Sequence, residues 1–285
     1  MAHRIGRHEG LGRALRRLLA ADLAAAQTDL RLAGATATER VHHARQRLKR
    51  IRTLVRVVEP ALPHRASAAA ALVAEAAGLL AEPRDADVVA ASARGLREIA
   101  GPRETAELDR VVALLDRAAE AAHHQAASVR QVNERLAAAA GALLPLPRRL
   151  GGGALFERAL ARSYRRGRRA MGKARASLAT PDLHRWRKAV KDYWNLIKLC
   201  HQRLPRRIRS IAVDLARLGD LLGLDHDHAV LAERLALSPE PDPGLMRHLA
   251  LIDRERRRLE EEAFQLGAIL YGHKPKRQAR RLKLR

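Results

Sequence analysis

Thr38-Glu39-Arg40-Val41-His42-His43-Ala44-Arg45-Gln46-Arg47-Leu48-Lys49-Arg50-Ile51-Arg52-Thr53-Leu54-Val55-Arg56-Val57-Val58 is the stretch on which the reading of this chain turns. It holds no proline or glycine, an acid stands in its first turn, and its apolar residues recur at three- and four-residue intervals, the signature of an amphipathic helix. At about 100° per residue, Leu48, Ile51, Leu54, Val55 and Val58 share one face, while His42, Arg45, Lys49, Arg52 and Arg56 fall in a sector roughly 80° wide beside it. From His42 to Arg56 this cationic ridge runs about 21 Å. Like charges at helical spacing repel by a few tenths of a kcal/mol per pair. A ridge built against that cost is either a solvated arginine face matched by acids on neighbouring helices, or one half of an interaction with an anion.

The pattern occurs twice. A shift of 142 residues places His42 on His184, Arg45 on Arg187 and Lys49 on Lys191, and also Leu79-Leu80 on Leu221-Leu222, Asp85 on Asp227 and Val88 on Val230. The second helix opens with Thr180-Pro181-Asp182, which reads as an N-cap, a proline at the first helical position and an acid near the positive end of the helix dipole. Val190, Tyr193, Leu196, Ile197 and Cys200 reproduce the apolar face, Lys198 stands for Arg56, Lys188 lies nearby, and Trp194 replaces Arg52. One constant offset over some fifty residues indicates an internal duplication. A third stripe precedes the second ridge: Arg158, Arg162, Arg165 and Arg169 lie within about 60° on one helix face.

The whole composition follows the same direction. Lysine and arginine number 55 against 31 acids, a formal charge of +24, far beyond what solubility needs and a long-range attractor of polyanions. Forty-seven of the 55 cations are arginine. GC-rich coding accounts for arginine over lysine but not for cations over acids. Hydrophobic residues make up 47% of the chain and aromatics only 2%, so the core must be aliphatic, which suits close-packed helices better than a β sandwich. The single Cys200 excludes an internal disulfide and fits a reducing cytoplasm. Residues 1–10 lack the apolar run of a secretory signal, and no window is apolar enough to span a membrane.

Proline and glycine divide the chain into helices expected near 11–32, 38–59, 64–82, 85–99, 103–140, 154–178, 181–203, 206–223, 226–237 and 244–270. Between the halves lies Leu143 to Gly153, with two prolines and three glycines. The last stretch, Lys274 to Arg285, carries seven cations and no acid and reads as a mobile basic tail.

Catalytic signatures are sparse. Glu82-Pro83-Arg84-Asp85-Ala86-Asp87 and Asp225-His226-Asp227-His228 stand at equivalent places and read as turns that start short helices. The second could hold a metal, as in metal-dependent phosphohydrolases, but capping and salt bridging explain both more simply. His123-His124 and Asp253 to Glu262 read as solvated helix faces. Gly151-Gly152-Gly153 lacks the Lys-Ser/Thr ending of a phosphate loop, and neither a nucleophile with a base partner nor an acid–base carboxylate pair stands out.

His42-x-x-Arg45-x-Arg47-x-Lys49-Arg50-x-Arg52 resembles the signature of the CHAD family, the conserved histidine α-helical domain, and His184-x-x-Arg187-Lys188-x-x-Lys191 resembles its second copy. Leu80-x-x-x-Arg84-Asp85-x-Asp87-Val88, Leu222-Gly223-x-x-x-Asp227 and Tyr164-Arg165-Arg166 resemble further family segments, and the likeness runs from about Gly10 to Tyr271. Trp194 and His226 depart from it. The resemblance implies an all-α fold: two pseudo-twofold-related bundles of four to five helices forming one domain over 10–272, with repeats at about 10–143 and 154–272 joined by a linker at 144–153. It further implies a non-enzymatic protein that binds inorganic polyphosphate at cytoplasmic polyphosphate granules, without cofactor or metal. Family members are in some cases fused to a triphosphate-hydrolysing tunnel domain; none is visible here, so a stand-alone binder is expected. The ligating set on this reading is His42, Arg45, Lys49, Arg52, Arg56, Arg165, Arg169, His184, Arg187, Lys188 and Lys191, with arginines gripping oxygens in pairs and lysines acting as point charges. The rival readings are a sequence-nonspecific nucleic-acid binder, disfavoured by two Trp, three Tyr and two Phe in the whole chain, a phosphohydrolase using Asp225–His228, and a granule scaffold acting through protein partners.

Overall fold

The computed structural model describes residues 4–31, 34–124, 129–144, 146–147, 150, 152–237 and 244–284, with the side chains of 37, 38, 82–84, 103, 123 and 124 outside the description. Gly151, named above, therefore lies outside it, as do the side chains of Thr38, Glu82, Pro83, Arg84, His123 and His124. Among the described residues the α-helices are, in order, α1 (Leu11–Asp29), α2 (Ala37–Val58), α3 (Pro63–Leu79), α4 (Ala81–Ile99), α5 (Pro102–His124), α6 (Val129–Leu143), α7 (Gly152–Ser177), α8 (Thr180–Leu199), α9 (Arg206–Arg209), α10 (Ile211–Ala236), α11 (Leu245–Leu270) and α12 (Pro275–Arg281). Among the described residues there is no strand, and the fold is all-α.

Local chemistry sets the ends of the two ridge helices. Thr36 caps α2: its hydroxyl accepts from the Glu39 N–H, and the Glu39 carboxylate accepts from the Thr36 N–H in return. Those bonds hold the Glu39 carboxyl below its usual range. At α8 the cap position is Ala179 rather than Thr180, and it makes no side-chain bond. Thr180 instead accepts from Arg256 at 3.2 Å, while Asp182 accepts from Ser177 and Arg185. Leu178 takes a left-handed conformation (φ 51°) that lets the chain leave α7 and enter α8 within two residues.

Three boundaries differ from the sequence expectation. The run 103–140 is two helices, α5 and α6. The region 206–237 is a four-residue helix followed by the unbroken α10, so Asp225 to His228 lie within a helix and start none. In the first half the corresponding path does break, at Leu80 between α3 and α4. Arg45 clasps that break: its guanidinium donates to the carbonyls of Leu80 (3.0 Å) and Ala77 (3.3 Å), the latter also accepting from the Leu80 N–H.

The basic tail is the third. Residues 275–281 form α12, which packs on α7. Leu282 is 1% and Gln278 3% exposed, and the Gln278 amide donates to the Tyr193 hydroxyl at 3.3 Å. The 142-residue offset accounts for this: it carries α6 onto 271–285, just as it carries α1 onto α7, α2 onto α8 and α5 onto α11. The segment reads as a solvated run of charge because only one face of one short helix is buried.

The core does not divide at the 144–153 link. One cluster joins α1, α2, α3 and α6 to α7, α8, the start of α10 and α12. A second joins Val89, Ala93 and Leu96 of α4 and Leu108 of α5 to Leu231 and Leu235 of α10 and Leu251 of α11. Helices of both halves thus build each cluster. Around Tyr164, Tyr193 and Tyr271, whose rings meet edge to face or tilted, α7, α8 and α11 are locked together.

That locking makes two substitutions informative. A Cβ at Gly167 would lie 2.6 Å from the ring of buried Tyr271. Gly167→Ala is therefore expected to lower stability by about 1–2 kcal/mol in urea unfolding, overpacking outweighing the gain in helix propensity. Leu282→Ala is expected to cost about 2–4 kcal/mol; a solvated tail would show no change in unfolding midpoint.

Candidate anion-binding groove

Three helices bring cations to one place. Arg56 near the end of α2, Arg166, Arg169 and Lys173 along α7, and Arg185 and Lys188 on α8 line a groove of about 630 Å³, together with Ala170, Asp182 and Asp192. Arg56 and Arg166 reach Asp192 from opposite sides and form ion pairs with it. Arg185 is held by Asp182 at 2.6 Å. Six cations thus meet two carboxylates, and both carboxylates are already engaged.

The electrostatics record the crowding. Burial, followed by Arg56 and other nearby arginines, pushes the Arg166 guanidinium down to about 10, which leaves it charged at neutral pH. Burial and then Arg56 lower Arg52; burial and then Arg52 and Arg187 lower Lys188. Arg52 of the first ridge and Lys188 of the second therefore feel each other, and the two ridges form one positive field. His184 belongs to it as a neutral ring. Its pKa falls to about 4, chiefly through burial and then through His226, Lys188 and Arg187, and the His184 and His226 ring centroids lie 4.1 Å apart.

The structure sorts the eleven expected residues. Arg56, Arg169 and Lys188 line the groove, and Arg52 lies within their field. His42, Lys49 and Arg165 are exposed on their helices but do not line it. Arg45, Arg187 and Lys191 hold helices together. Arg45 meets the α3–α4 junction as described, while Arg187 lies against Gly223 and 3.4 Å from Asp227. Lys191 lies against Gly219 and bonds Asp220 at 2.8 Å. Trp194, the departure from the first ridge, is a platform: the Lys198 ammonium lies 4.2 Å and the Lys191 ammonium 5.5 Å from its ring.

Arg166 entered only through the Tyr164-Arg165-Arg166 segment, outside the expected ligating set, and Lys173, Arg185 and Asp192 were not singled out from the sequence. The i+4 step from Arg162 to Arg166, and from Arg169 to Lys173, is visible in it. Their convergence with α8 is not, because it depends on how α7 crosses α8.

The rival metal cluster is built for packing. Asp225 is 1% exposed and accepts from Arg256 at 2.8 Å, tying α10 to α11, while Asp227 faces Arg187. Among the described residues no group of three or more His, Cys, Asp or Glu could hold a metal ion. Among them, too, no helix is long and apolar enough to cross a membrane.

Comparison with known proteins accords with the all-α fold. The crystal structure of the CHAD domain from the plant Ricinus communis is similar at a TM-score of 0.71 and 17% identity, over 99% of this chain and 96% of that one. PptA from Streptomyces chartreusis is similar at a TM-score of 0.63 and 17% identity, over 92% of this chain and 99% of that one. At such identity the likeness concerns the fold. No curated protein matches. The sequence model of the CHAD domain matches residues 11–236, well over half of the chain, and the protein belongs to the CHAD domain family.

Proposed function

We propose that the protein binds inorganic polyphosphate along the α2–α7–α8 surface, without catalysing its breakdown, and that this binding is what would place it at polyphosphate granules. The observation that carries the reading is the groove in which Arg56, Arg166, Arg169, Lys173, Arg185 and Lys188 face one another with both local carboxylates occupied. A flexible chain with a charge on every unit relieves that repulsion along its length, as no monoanion could. Membership of a family associated with polyphosphate supports the same reading. Arg165, Lys49 and His42 extend the field at its margins, whereas Arg45, Arg187 and Lys191 act indirectly by fixing α2 and α8 on their neighbours.

Two experiments follow. Charge reversal of Arg169 and Lys188 together is expected to weaken polyphosphate binding at least tenfold in moderate salt and to make the log–log salt slope shallower by about two. Reversal of Arg254 and Arg257 on α11, an equal change in net charge, should have a small effect; equal losses would mean that net charge alone binds. In the same assay, bound polyphosphate displaced equally well by DNA of matched charge would favour the nucleic-acid reading.

The second concerns pH. A polyanion beside His184 favours its protonated form, so binding raises its pKa from the value of about 4 that it has in the free protein. Affinity measured by titration calorimetry should therefore rise as pH falls towards about 4. The rise should be smaller in His184→Gln. Superimposable pH profiles would remove His184 from the anion's surroundings.

A further inference from the structure

Beside the groove lies a second space, which shares Arg56, Arg166 and Asp192 with it. α2, α3, α7 and α8 enclose a pocket of about 320 Å³ whose walls include Val55, Ala66, Ala70, Ala159 and Leu196. That volume is at the small end of sites that take organic ligands. Arg56, Arg162 and Arg166 enter it together with Glu59 and Asp192. Arg162 pairs with Glu59 at 3.4 Å, and the other two arginines pair with Asp192, so three guanidinium groups share two carboxylates and one positive charge is left over.

Ser163 points to a ligand independently of the charges. It lines the same pocket and is 7% exposed, and its hydroxyl has no hydrogen-bond partner among the described residues. A serine in a helix ordinarily turns its hydroxyl to solvent or to the carbonyl one turn back, and a buried hydroxyl without a partner is costly. The 142-residue offset puts Ala21 at the equivalent place on α1, and Ala20 and Ala24 where α7 has Arg162 and Arg166. The polar residues that α7 brings to the pocket therefore have no counterpart on α1 and are not a requirement of the fold.

We propose that this pocket binds a small organic monoanion, a carboxylic acid with a compact apolar body. The carboxylate lies among Arg56, Arg162 and Arg166, where a planar head can take paired guanidinium bonds. The Ser163 hydroxyl donates to it, and the hydrocarbon body rests on Val55, Ala66, Ala159 and Leu196. The single surplus charge fits a monoanion. A phosphate chain fits poorly here, because each further charge would face aliphatic wall without a cation. The open side is at α3, where Ser67 and Ala70 are exposed.

The test uses the full chain and 3-phenylpropionate as probe, followed by ligand-observed NMR. Two comparators divide it: 3-phenylpropanol keeps the body without the charge, and propionate keeps the head without the ring. Binding of 3-phenylpropionate at least tenfold tighter than either is expected. Ala70→Trp, which plugs the rim from an exposed position, should weaken it at least tenfold, and Ser163→Ala about threefold or more. Ser67→Trp on the same rim serves if Ala70→Trp does not fold. Polyphosphate affinity of the rim variant should stay unchanged, so loss of this site is distinguishable from failure of the groove. A probe that binds no better than its comparators, or equally well to a folded rim variant, overturns the proposal.

Discussion

The carboxylate of Asp192 holds Arg56 of α2 and Arg166 of α7 against α8, and the position of the cationic surface follows from that three-helix tie. The first half of the chain solves the same packing problem with the charges exchanged. There the acid is Asp22 on α1, 3.6 Å from Arg47 and 4.0 Å from Arg50 of α2. At the 142-residue offset Arg50 corresponds to Asp192, and Ala24 to Arg166. In the first half the base is on the histidine helix; in the second it has moved to the preceding helix, α7. One consequence is that α7 presents Arg158, Arg162, Arg165 and Arg169 where α1 has Arg16, Ala20, Leu23 and Gln27. The arginine stripe of α7 thus has no counterpart on α1 at that offset.

Such a surface works against the compact state. Cations whose pKa is lowered by burial and then by neighbouring cations, as those of Arg52, Arg166 and Lys188 are, raise the free energy of the protein by itself and lower it when an anion arrives. The rest of the fold resists the tendency of the groove to open. The tyrosine cluster, the Trp186–Phe264 stack at 5.0 Å and the Asp225–Arg256 pair fix α7, α8, α10 and α11 so that the cations stay where repulsion would disperse them. Rigid elements under a polar site are what make its geometry specific.

The ridge on α2 and its copy on α8 were legible in the sequence because helical periodicity states which residues share a face. Periodicity is silent on what lies opposite. Arg45 and Lys49 stand on one ridge only about 40° apart, yet Arg45 spans to the carbonyls at Leu80 while Lys49 is exposed. The contact at the Leu80 break in one half, and the close approach of Lys191 and Arg187 to Gly219 and Gly223 of α10 in the other, are equally invisible to periodicity. α12 was hidden for a different reason: one short helix that buries Gln278 and Leu282 has too few apolar residues to show a period. The groove itself, made where α7 crosses α8, is a tertiary fact with only fragments of its signal in any one helix.

A crystal structure with a short linear polyphosphate bound tests the central claim most directly. The account predicts a chain of phosphate density lying between α7 and α8, within bonding distance of Arg169 and Lys188 and near Arg56 and Arg166. Density confined to another face, or spread symmetrically over the two histidine helices without entering the groove, would contradict it.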